Sequence, residues 1–103
     1  MADHAQKIIE KGVMPDGTEI QIEDWSEVYP GTYYAWMIGA YPIAKHSSDR
    51  PFGPRKGKIF RCGLEFSTEG EARGVYDRLM NGGRLMDFWD KFWNRTDAVY
   101  LEN

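Results

Sequence analysis

The chain is poor in the residues that carry covalent and metal-dependent chemistry. It has one cysteine, Cys62, so no disulfide can close within it, and nothing points to an oxidising compartment. It has two histidines, His4 and His46, and neither stands at a spacing typical of metal ligands or of a catalytic triad. No apolar run approaches the roughly 18 residues of a membrane span. The start, MADHAQKIIEK, lacks the basic-then-apolar pattern of a signal peptide. Internal repeats and low-complexity tracts are missing as well. These absences predict one cytoplasmic domain over residues 1–103, with no metal and no cofactor.

Aromatic residues, by contrast, make up 15 % of the chain, with four Trp and six Tyr. Such side chains suit a core built from few large groups, and equally a surface that binds something. Charge is unevenly placed. Residues 1–31 carry seven acids against Lys7 and Lys11, whereas residues 45–61 carry six cations against Asp49. A basic segment inside an acidic chain is a local feature, and does not make the whole surface seek nucleic acid.

The pattern of elements predicts an α+β fold. Residues 3–11 read as a short helix within 1–12, with Asp3 as cap and Gly12 as stop. Pro15-Asp16-Gly17 is a turn. TEIQIED, residues 18–24, alternates as a half-buried strand does. TYYAWMIGAY, residues 32–41, is apolar on both faces and reads as a central strand. Residues 45–57 hold two prolines, two glycines and two serines and read as a flexible basic loop. KIFRCGLEF, residues 58–66, returns to alternation, which points Cys62 inward with Phe60, Leu64 and Phe66. Thr68 with Glu71 fits a capping box before Ala72, Val75, Tyr76 and Leu79 at helical spacing. A second, aromatic helix is expected over about 84–94, and an edge strand over 98–101. The expected order is α-β-β-β-α-α-β: a small antiparallel sheet of three to four strands with helices mainly on one face.

The aromatic helix is the strongest lead. FWDKFW, residues 88–93, holds four rings in six positions. On an α-helix, Leu85, Met86, Phe88, Trp89, Phe92 and Trp93 share an arc of about 160°, wider than the roughly 100° that holds a surface helix to a domain. The bland reading puts all six in the core. The functional reading leaves Met86, Trp89 and Trp93 on one exposed edge as partner-binding residues, most simply in a homodimer or else with another protein. In helix 68–80, Gly70 and Gly74 lie one turn apart off the apolar stripe, either as a flat contact strip or as tolerated drift.

The basic loop supports an alternative. Lys45, Arg50, Arg55, Lys56 and Lys58 could meet the phosphates of a nucleic acid or nucleotide, with Phe52 available to stack. Tyr33, Tyr34 and Trp36 could add to a stacking surface. GPRKGK is not a phosphate-binding loop: it is one residue short, Ile59 replaces the Ser/Thr, and a strand follows where a helix should. RKGKIFRCGLEFSTEGEARGVYDRLMNGG is superficially similar to the third strand and second helix of an RNA-recognition motif. The two stacking aromatics of that family would fall at Arg61 and Gly63, and residues 24–31 leave no room for its first helix. The segment is a generic join of a strand to a capped helix. With no nucleophile, metal set or convergent carboxylates, the reading is a non-enzymatic binding protein: an adaptor, inhibitor or subunit.

Overall fold

The computed structural model describes residues 6–102. Four strands form one antiparallel sheet: β1 (Lys7–Val13), β2 (Glu19–Asp24), β3 (Trp36–Tyr41) and β4 (Cys62–Phe66). They lie side by side in chain order. Helix α1 (Glu69–Met80), a 3₁₀ segment (Leu85–Lys91) and a short helix α2 (Asp97–Leu101) follow. Among the described residues, no helix is long and apolar enough to cross a membrane.

Directly opposed residues of antiparallel strands share a face. The register puts Ile20, Ala40 and Cys62 in one row and Ile22, Ile38 and Leu64 in the next. These side chains are buried under Ala72, Tyr76 and Leu79 of α1 and under Leu85, Phe88 and Phe92. The other rows, Gln21–Gly39–Gly63 and Glu23–Met37–Glu65, form the opposite face.

Helix α1 begins as its residues require. The Thr68 hydroxyl accepts a hydrogen bond from the Glu71 backbone N–H at 3.1 Å, and the Glu71 carboxylate accepts from the hydroxyls of Ser67 and Thr68. This satisfies a helix-start donor that would otherwise lack a partner. At the far end, Asn81 donates from its backbone and its side chain to the Asp77 carbonyl. Gly70 and Gly74 are both exposed.

The chain order corrects the expected one, which began with a helix. Residues 1–5, including the supposed cap Asp3, lie outside the described residues, but Lys7–Val13 is a strand paired with β2. KIIEKGV has too little periodicity to decide for itself. What decides is pairing with β2: Met14 N–H donates to the Thr18 carbonyl and Gly17 N–H to the Met14 carbonyl, in a turn that brings residues 7–13 back onto TEIQIED. At the other end, residues 98–101 lie in α2 and not in an edge strand. The outer edge of β4 is already met by Phe92, bridged to Leu64, and by Trp93, whose N–H donates to the Gly63 carbonyl at 2.8 Å.

The aromatic segment is also not the regular α-helix expected over 84–94. It is 3₁₀, with a kink at Phe88 (φ −122°, ψ 30°), and it ends before Phe92, whose backbone is extended. Three residues per turn make i and i+3 eclipse. The kink at Phe88 breaks that stacking, so Met86 before it and Trp89 after it do not share a ridge.

Candidate interaction surfaces

The six apolar side chains of the aromatic segment divide among three environments. Leu85, Phe88 and Phe92 are buried in the core. Trp89 and Trp93 remain 52 % and 69 % exposed. The Arg95 guanidinium lies 5.5 Å from the centroid of the Trp89 ring, a cation–π contact at the surface. Met86 is half-buried and turns elsewhere, into a groove of about 640 Å³. That groove runs between the β1–β2 turn, the end of β3 and residues 82–86. Its lining includes Asp16, Tyr41, Ile43, Ile59, Arg84 and Leu101, and also Lys45. Met86 and Lys45 thus line the same groove, while neither Trp89 nor Trp93 lines it.

The basic segment connects β3 to β4. It contains no strand or helix of its own, yet its two limbs are tied together. Ile43 bridges Ile59, Ala44 N–H donates to the Lys58 carbonyl, and Gly57 N–H donates to the Ala44 carbonyl. Higher up, Lys56 N–H donates to the Ser47 hydroxyl, and Ser48 N–H to the Pro54 carbonyl. Buried Ser48 also accepts from the Arg50 N–H through its hydroxyl. Lys45, Arg50, Arg55, Lys56 and Lys58 are all exposed. Phe52, near the tip, is fully exposed. Tyr33 and Tyr34, by contrast, sit in the β2–β3 connection and meet each other edge to face, and Trp36 packs against the core.

One polar cluster was not evident in the sequence. Glu23 lies on the sheet face away from α1 and is completely buried. Its carboxylate accepts from Arg61 twice, at 2.6 and 2.7 Å, from Gln21 Nε2 at 2.6 Å and from Trp25 Nε1 at 2.9 Å. Four donors match the four lone-pair sites of a carboxylate. Burial pushes the Glu23 carboxyl up, but hydrogen bonds from Arg61, Gln21 and Trp25 outweigh it and hold the group below the usual carboxylate range. The same bonds raise Arg61 against its own desolvation. Arg61 reaches Glu23 by crossing β3 above Gly39. A Cβ at position 39 would lie far inside van der Waals contact with Glu23 Oε2 and Arg61 Nη1. The signal for this arrangement was Gly39 in mid-strand, a position that marks close approach.

The Glu23 carboxylate has no acceptor site left over. Cys62 is buried, and burial with the nearby Asp97 charge pushes its thiol up to about 12, against a smaller opposing effect of Arg61. Among the described residues, no three His, Cys, Asp or Glu side chains gather as a metal site. The class defined by fold and surfaces is a small α+β domain with an exposed tryptophan pair, a mixed groove and a basic hairpin. Compared with known protein families, with curated proteins and with solved structures, the chain matched none.

Proposed function

We propose that this is a non-enzymatic binding protein, an adaptor, inhibitor or subunit, that self-associates through Trp89 and Trp93 with Met86 at the margin. The observation that carries the reading is the division of the 85–93 segment. Leu85, Phe88 and Phe92 anchor it to the core, while two tryptophans stay largely in water on the same short stretch. Tryptophan is the side chain most often found to dominate binding energy when it is buried at an interface. Because its anchors fix the segment, little ordering cost remains on association. The same reading assigns the protein to the cytoplasm, where a lone reduced thiol such as Cys62 is ordinary.

Light scattering on the size-exclusion peak tests it. A dimer is expected, and Trp93→Ala is expected to weaken it tenfold or more, about 1.4 kcal/mol or above. The melting temperature should hardly move. A wild-type monomer at the highest attainable concentration would rule out self-association, and an unfolded Trp93→Ala variant would assign that ring to the fold.

A further inference from the structure

We propose that the β3–β4 hairpin, residues 43–59, is a second and separate site, which binds single-stranded nucleic acid by stacking a base on Phe52 and pairing phosphates with Lys45, Arg50, Arg55, Lys56 and Lys58. The ring is held out by design of the backbone. Gly53 N–H donates to the Arg50 carbonyl and Ser48 N–H to the Pro54 carbonyl, so Phe52 projects from a hydrogen-bonded turn between Pro51 and Gly53. No neighbouring side chain covers it. A phenyl ring with both faces open meets any unpaired base, whatever its identity.

The cations run the length of the hairpin. Lys45 and Lys58 stand at its base, where Ala44 and Lys58 are hydrogen-bonded across the limbs, and Arg50 and Arg55 flank the tip. Among the described residues none of the five forms an ion pair; the ion pairs lie at Lys7, Arg61, Arg73 and Arg84. Five cations against the single acid Asp49, spaced along both limbs from base to tip, suit a polyanion lying along the hairpin. A membrane plane would meet the tip and leave Lys45 and Lys58 idle. A duplex would keep its bases paired and offer no face to Phe52. The acidic remainder of the chain repels the same polyanion, which directs the strand to the hairpin.

The test is fluorescence anisotropy of the whole protein with a labelled mixed-sequence DNA single strand of about 20 nucleotides, longer than one stacking site requires. Five phosphate contacts predict an affinity that falls about a hundredfold between roughly 50 and 200 mM salt. Phe52→Ala should weaken binding about ten- to a hundredfold and leave the salt dependence unchanged. Arg50→Glu with Arg55→Glu and Lys56→Glu should remove it. All these side chains are exposed, and an unchanged melting curve will confirm that the variants fold. Trp93→Ala should bind the strand as the wild type does, which separates this site from the self-association proposed above. No anisotropy change at low salt would overturn the proposal. So would equal affinity for the duplex with no effect of Phe52→Ala, or Phe52-dependent binding to phosphatidylserine vesicles with no binding of the strand.

Discussion

The two faces of the sheet are held by opposite means. Under α1, Ile20, Ile22, Ile38, Leu64 and Phe66 interlock with helix side chains, and attraction is spread over many weak contacts. On the other face no helix is needed. Long side chains lie flat over glycines, and one carboxylate with four donors organises the surface around Glu23 and Arg61. The first arrangement degrades in proportion to what is removed. The second is close to all-or-none, because a buried charge that loses its partner is costly in itself.

Substitutions on each face sharpen that contrast. Leu64→Ala, which opens a cavity at the centre of the apolar face, should cost about 4 kcal/mol in urea unfolding. Glu23→Ala should cost about 3 kcal/mol, the low end for a broken buried pair, since the Arg61 side chain is 36 % exposed and water partly compensates it. Replacing both partners, Glu23→Met with Arg61→Leu, should recover most of that loss. Gly39→Ala should cost about 2 kcal/mol by pushing the fork apart. If it were neutral, the crossing above β3 would not be tight.

Acid separates the faces most finely. The folded Glu23 carboxyl is held below its unfolded value, so its contribution is complete above about pH 4.3 and is lost as pH falls through the folded value. Glu23→Gln should flatten the stability profile in that window. Asp97 acts with the opposite sign: burial raises its carboxyl, which makes its charged form slightly destabilising at neutral pH and relieves that on acidification. A profile unchanged by Glu23→Gln would show that the pair adds no pH-dependent stability.

Where the physics is local, the fold was legible in the residues. Thr68 and Glu71 mark the start of α1, and the alternation of TEIQIED and of residues 58–66 marks β2 and β4, although β4 itself begins only at Cys62. It failed where distant partners decide. Ile8 and Ile9 suit a helix or a strand, and only pairing with β2 selects the strand. The aromatic segment ends in a bridge from Phe92 to Leu64, a contact 28 positions away that its own periodicity does not announce. Arg61 takes no partner from its own stretch of chain. Its partner is Glu23, 38 positions away, visible only through the glycine that lets it pass. The basic residues were legible as a charge run, but the cross-limb bonds that present Phe52 were not.

The side-by-side order of the strands also sets a timetable. Each hairpin closes between neighbours in sequence, so the sheet can zip up with little loop entropy to overcome, the regime of fast folding. During synthesis all four strands emerge before residues 85–92, and until those arrive the apolar face has α1 alone to shelter it. The bridge from Leu64 to Phe92 is then among the later clasps to close, followed by Ala98 and Leu101 of α2. As a late contact it would slow unfolding more than it speeds folding, and so would govern how long the native state persists rather than how quickly it is reached.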